Sequence, residues 1–160
     1  MKLQLSTELI GEIVEEALQH VKGRSSTHII HNALQEEIIL VKADAKLVVQ
    51  VLVNIIENAI KYTPAGSKIM IKAEKEGNMA RIEVADSGSG IIDAEKERIF
   101  DKFYCGKNKI ADSRRSIGLG LYLCKAIVEA HGGTIEVKDN KPQGAIFSFT
   151  LPMEEMKQYE

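Results

Sequence analysis

The sequence predicts an α/β fold: a two-layer α/β sandwich in which one mixed sheet carries helices on one face. Three observations lead there. Helix-period and strand-period segments interleave along the chain, which calls for layered sheet and helix. Lys68 to Glu74 and Met79 to Asp86 alternate around Glu76-Gly77-Asn78 as a β-hairpin does, so the sheet is not all parallel. The 160 residues, 44% of them hydrophobic, supply one ordinary core and not two.

Taken in order, Leu9, Ile10, Ile13, Val14, Ala17, Leu18 and Val21 form a stripe that predicts a helix over Leu5 to Val21, broken at Gly23-Arg24-Ser25-Ser26. Thr27 to His31 and Glu37 to Val41 are β-branched and predict a small pair of edge strands. Leu47, Val48, Val51, Leu52, Ile55, Ile56, Ala59 and Ile60 then recur at helical spacing, with Asp44 placed to cap and Pro64 to stop. Beyond the hairpin, Asp93 to Ile99 reads as a short helix and Cys105 to Ile117 as a polar, lid-like stretch. A helix from Leu119 to His131 ends at Gly132-Gly133, and strands follow at Thr134 to Val137 and Ala145 to Leu151.

Composition excludes several classes of function. A formal net charge of -2 creates no field that gathers nucleic acid or a membrane surface. Cys105 and Cys124 lack CxxC spacing, which fits a reducing cytosol. No apolar run approaches the roughly 18 residues of a membrane span, and Met1 to Glu8 lacks the apolar stretch of a signal peptide. The chain reads as a soluble cytoplasmic domain without direct membrane contact.

Opposite the apolar stripe of the central helix lie Gln50, Asn54, Glu57, Asn58 and Lys61, all on one face. A solvated face has this appearance. Two asparagines one turn apart, however, weaken a helix, because their amides compete for backbone hydrogen bonds. Their carbonyl oxygens suit Mg²⁺, which completes its octahedron with water and phosphate, and Lys61 stands one turn on to meet phosphate charge.

Two loops carry glycine. Asp86-Ser87-Gly88-Ser89-Gly90 follows a strand directly; it reads as a plain turn, or as a strand-end carboxylate that accepts from an adenine amino group beside glycines that let the base approach. A calcium loop is excluded, since Gly88 and Gly90 have no ligand oxygens to offer at its third and fifth positions. Gly118-Leu119-Gly120-Leu121 opens a helix, where free N–H groups and the helix dipole favour phosphate; a glycine-softened helix start has the same sequence. Lys107, Lys109, Arg114 and Arg115 make the stretch before it basic, as a solvated loop would also be. Neither a Walker A sequence nor an intact GxGxxG is present.

In order, Asn54-Ile-Ile-Glu-Asn58-Ala-Ile-Lys61-Tyr62-Thr-Pro, Asp86-Ser-Gly-Ser-Gly90, Ile99-Phe-Asp-Lys-Phe-Tyr104 and Gly118-Leu-Gly-Leu121 resemble the N, G1, F and G2 boxes of sensor histidine kinases. The resemblance runs from about Leu5 to Pro152, to the catalytic ATP-binding domain of the GHKL superfamily with its Bergerat fold. It implies that residues 1–160 are a single ATP-binding domain, and that Mg²⁺ is coordinated through Asn58 with Asn54 nearby. Lys61 then meets phosphate and Tyr62 lies beside the nucleotide. It further implies that Asp86 holds the adenine amino group, that Gly88, Gly90 and Ile91 line the base, and that Phe100 and Phe103 anchor the lid. Gly118, Leu119, Gly120 and Leu121 wrap the phosphates, and Arg114 and Arg115 add a possible phosphate contact.

The resemblance also separates branches of the superfamily. Hydrolytic members carry a water-activating glutamate where Asn54 stands, and Glu57 is one step off that register, so a kinase is preferred to a hydrolytic ATPase or a non-catalytic nucleotide-sensing module. Ala111 to Gly133 is similar to the KdpD-type potassium and osmotic sensor kinases, except that Arg115 and Ser116 replace a glycine pair common in histidine kinases. This implies ATP and Mg²⁺ as cofactors, a membrane-anchored parent protein and a downstream response regulator. None of His20, His28, His31 and His131 lies in a phosphoacceptor motif, so each is expected to be a surface or cap residue. The acceptor is then a histidine of a dimerisation domain absent from this chain.

Overall fold

The computed structural model describes residues 1–23, 27–34, 38–101 and 120–154. In chain order the elements are β1 (Ser6–Leu9), α1 (Ile10–Val21), β2 (Ile29–Asn32), β3 (Leu40–Ala43), α2 (Ala45–Lys61), β4 (Lys68–Glu76), β5 (Met79–Asp86), α3 (Asp93–Lys96), α4 (Gly120–Ala130), β6 (Ile135–Asp139) and β7 (Ala145–Pro152). A five-stranded sheet has the order β2-β4-β5-β7-β6, with β2 parallel to β4 and every other pair antiparallel. The three long helices cover one face, with α2 packed between α1 and α4. This is the mixed, two-layer sandwich expected.

Alternation writes the core directly. Ala80, Ile82, Val84 and Asp86 of β5 are all buried, as are Ala145, Phe147, Phe149 and Leu151 of β7. The helices contribute Ile10, Ile13, Val14, Ala17 and Val21 from α1 and Val48, Val51, Leu52, Ile55, Ile56 and Ala59 from α2. A Leu or Ile buried in this way stabilises the fold by about 1.5–3 kcal/mol. On the open face of the sheet, Ser148 is nevertheless buried, because Arg81 Nη1 donates to its hydroxyl at 3.0 Å. The same guanidinium pairs with Glu76 and Glu136.

The N-terminal third departs from expectation. Residues Ser6–Leu9 are a strand and not the first turn of α1. They pair antiparallel with β3, while β2 joins the main sheet beside β4, so β2 and β3 are not partners of one another. Helical periodicity in Leu9 and Ile10 extended too far back because Leu9 is needed at a strand end, where it pairs with Leu40. Asp44 precedes α2 without capping it through its side chain; its Oδ2 accepts the Gln4 N–H at 3.0 Å instead. The Asp44 N–H donates to Nε2 of His131 at 3.0 Å, while His131 Nδ1 faces the Ile127 carbonyl at 2.8 Å. A carbonyl only accepts, so the imidazole carries its proton on Nδ1. His131, expected as a surface or cap residue, directly follows α4 in the cap position but is buried at 7% exposure, and it ties the end of α4 to the start of α2.

Candidate functional site

Strand period places Asp86 on the helix-covered face, at the last position of β5 where the core opens. The residue is 8% exposed. Its Oδ1 accepts the Gly88 N–H at 3.0 Å and the Ala145 N–H at 3.2 Å. Its second oxygen has no hydrogen-bond partner among the described residues. Stranding a buried carboxylate oxygen without a partner is costly, so an oxygen held in this way has the chemistry to accept from a ligand donor.

The backbone around it is clasped by the β6–β7 loop. Asn140 Nδ2 donates to the Asp86 carbonyl at 2.7 Å, and Gln143 Nε2 donates to the Ser87 carbonyl at 2.9 Å. Gly144, with φ +113°, lies so close that a Cβ there would fall 1.9 Å from the Asp86 carbonyl oxygen. Sequence reasoning passed over all three residues. The signal available was a glycine directly before a strand, closing the Asn-Lys-Pro-Gln run.

The end of α2 closes on the same corner. A Cβ on Gly88 would meet Thr63 Cγ2 at 2.7 Å and the Tyr62 carbonyl oxygen at 3.5 Å, so the expected base-lining glycine backs directly onto the helix terminus. Gly90 takes φ +79° beside the Gly144 carbonyl, and Ile91 is half-buried against the core. Tyr62 is 52% exposed, with Lys61 Nζ 5.3 Å from its ring centroid. Asn54, Glu57 and Asn58 are half-buried while Gln50 and Lys61 are exposed, so the polar face is most open to solvent at its ends.

At the other side, α4 begins against α2. Gly120 lies over Asn54, whose Oδ1 is 3.6 Å from where a Cβ would be. Leu121 is half-buried behind it, and one turn on, the Cys124 thiol donates to the Val51 carbonyl at 3.7 Å. Burial pushes the Cys124 thiol up to about 12, against a smaller opposing pull from the Asn54 amide. The structure thus gathers Asn54, Gly120 and Leu121 at one junction and Tyr62, Asp86, Gly88 and Gly90 at another, with Asn58 and Lys61 along α2 between them. Phe103, Arg114, Arg115, Gly118 and Leu119 lie outside the described residues. Phe100 is buried, its ring edge-on to Phe147 at 6.2 Å; the lid that it was expected to anchor lies outside the described residues. Lys96 bridges Asp93 and Asp139, holding α3 to the end of β6.

Among the described residues no three His, Cys, Asp or Glu side chains group closely enough to hold a metal by themselves. The donor set here, two amides on one helix face beside a lysine, fits Mg²⁺ only as a partner of phosphate and water, the manner in which that ion is usually held.

Residues 43–155 match the family described as Histidine kinase-, DNA gyrase B-, and HSP90-like ATPase. The chain is 42% identical over 153 residues to the sensor protein KdpD of Clostridium acetobutylicum, covering 96% of this chain and 17% of that protein. The catalytic domain of the histidine kinase ThkA superposes with a TM-score of 0.82 at 29% identity, over 94% of this chain and 96% of that one. Full-length ShkA, solved in complex with AMPPNP, gives 0.84 at 25% identity over 99% of this chain and 33% of that one. With its two-layer sandwich and its ordered segments around Asp86 and α2, the chain belongs to the histidine kinase-, gyrase B- and HSP90-like ATPase family, among the sensor histidine kinases.

Proposed function

We propose that this chain is the catalytic domain of a KdpD-type sensor kinase: it binds Mg²⁺-ATP and passes the γ-phosphate to a histidine on the dimerisation domain of the same kinase. The observation that carries the reading is the open oxygen of buried Asp86, with its partner oxygen locked by two backbone N–H groups. That oxygen is the acceptor for the adenine amino group, and Gly88, Gly90 and Ile91 form the wall beside the base. The ribose and phosphates then run along α2 toward the start of α4, past Tyr62 and Lys61. Gly120 and Leu121, with Gly118, Leu119, Arg114 and Arg115 before them, enclose the phosphates. Asn58, with Asn54 behind it, would hold the Mg²⁺, which neutralises phosphate charge during transfer.

In the reaction the acceptor imidazole nitrogen bonds to the γ-phosphorus as the bond to the β–γ bridging oxygen breaks, and ADP leaves. This chain's residues supply position and charge and take no proton. Asn54 argues against hydrolysis: an amide is no general base for water, and this one is packed on Gly120 and beside Cys124. The chain spans 17% of the length of the KdpD relatives, so membrane anchorage and a response-regulator partner are proposals for the whole protein. No described helix is long and apolar enough to cross a membrane.

The test supplies the acceptor in trans. With γ-radiolabelled ATP, the chain alone remains unlabelled and releases little phosphate; adding a KdpD-type dimerisation domain labels that domain slowly, since the covalent link that raises local concentration is missing. Label appearing as free phosphate at the same rate with and without the acceptor would return the assignment to a hydrolytic ATPase.

A further inference from the structure

Behind the base corner lies a histidine that the nucleotide reading does not use. His28 precedes β2, and its Nε2 is 2.8 Å from Thr63 Oγ1 and 3.3 Å from the Thr63 carbonyl. Thr63 Oγ1 itself lies 2.6 Å from the Ala59 carbonyl, to which it can only donate. The hydroxyl's one hydrogen is thereby spent, so the imidazole must supply the proton between the two side chains. His28 is protonated at Nε2, and in the neutral ring Nδ1 accepts from the Thr27 hydroxyl at 2.8 Å.

This arrangement removes the rotational freedom of Thr63. With Oγ1 directed at the Ala59 carbonyl on one side and at His28 on the other, the methyl has one place left, and it is against Gly88. Gly88 in turn donates its N–H to Asp86 Oδ1. The order is therefore His28, Thr63, Gly88, Asp86: a histidine just before the edge strand β2, connected through a threonine to the turn that aims the carboxylate. The backbone is framed at the same place, since Gly66 N–H donates to the Thr27 carbonyl and Ile29 N–H to the Ser67 carbonyl.

We propose that His28 is a positioning residue for the base-binding corner, holding the Thr63 methyl behind Gly88 so that the Asp86–Gly88 turn keeps the geometry that receives an adenine base. The inference rests on the nucleotide reading above, and the experiment separates the two. Calorimetric titrations of the 160-residue chain with ATP and with ADP, each with and without Mg²⁺, are made for the parent, His28→Ala and His28→Gln. A single neutral hydrogen bond governs the effect, so His28→Ala should bind both nucleotides about fivefold more weakly. The loss should be equal for ATP and ADP and should leave the Mg²⁺ dependence as in the parent, because the base is disturbed and the phosphates are not. Glutamine carries an N–H donor to nearly the same point and should recover most of the affinity.

A second pair of variants follows the contact from the other side. Gly88→Ala should lose nucleotide binding, and adding Thr63→Ser, which deletes the methyl 2.7 Å from the new Cβ, should restore part of it. Parent affinity in His28→Ala, or a lowered melting temperature in that variant with nucleotide affinity intact, assigns His28 to the scaffold and overturns the proposal. So does a glutamine variant as weak as the alanine one, or a double variant no better than Gly88→Ala. A parent chain that binds neither nucleotide overturns the nucleotide reading itself.

Discussion

Replacing Asp86 by asparagine tests the site at its narrowest point. The two side chains are isosteric, and the carboxamide oxygen can take the place of Oδ1 and keep both N–H bonds, from Gly88 at 3.0 Å and Ala145 at 3.2 Å. The NH₂ group must then occupy the open position. Turning the amide over would face it with both backbone donors, stranding two N–H groups at about 1–3 kcal/mol each. So the variant folds as the parent does but presents a donor to the adenine amine, itself a donor. The charge-assisted bond that disappears is worth about 1.5–3 kcal/mol, and each ~1.4 kcal/mol is tenfold, which predicts ATP binding weaker by about ten- to a hundredfold. The assay is calorimetric titration with ATP and GTP, beside urea denaturation of the free chain. Adenine selectivity should fall along with affinity, because the new donor suits the guanine carbonyl. Equal ATP affinities in parent and variant would refute the reasoning, as would a loss of affinity matched by an equal loss of folding stability.

Three further outcomes follow from the same geometry. Asn58→Ala should not lower the urea midpoint, since the side chain lies on the half-exposed face of α2 and alanine is the better helix former, while abolishing the Mg²⁺ dependence of ATP affinity seen by titration. Gly144→Ala should cost at least ~3 kcal/mol of stability in urea, because the added Cβ meets a backbone oxygen at 1.9 Å and the residue holds φ +113°. In a Cys105→Ser background, Cys124 should resist an aromatic disulfide reagent until the chain unfolds. Its pKa is raised from 9.0 to about 12, so the unfolded thiol loses its proton first; the stability this group contributes is complete below about pH 9 and falls as pH rises toward 12, a component that Cys124→Ala should remove from the alkaline denaturation profile.

Period and turn chemistry made most of the sheet-and-helix layer legible. The α2 stripe, the β4–β5 hairpin around Gly77 and the glycine stop after α4 are local signals, and each lies where the residues placed it. Asp86 was legible in part: as a carboxylate at a strand end beside Gly88 and Gly90 it fits a plain turn as well as a base acceptor, and only the resemblance to the G1 box favoured the second. Partnership between distant segments has no such local signature. Nothing in Ser6–Leu9 says that it pairs with Leu40–Ala43, or that β2 joins β4 in parallel, because strand pairing is decided by which edges the assembled core leaves open.

The sequence by itself determined the layers, the helix bearing Asn54, Asn58 and Lys61, and the carboxylate at the end of β5, because periodicity and residue chemistry act over a few neighbours. Only the tertiary structure decided which oxygen of Asp86 is occupied, that Asn140, Gln143 and Gly144 clasp its backbone, that His131 is interior, and that His28 stands behind Thr63. Those facts depend on hydrogen bonds and close approaches between residues as many as 87 positions apart, which exist only once hydrophobic burial has brought the elements together.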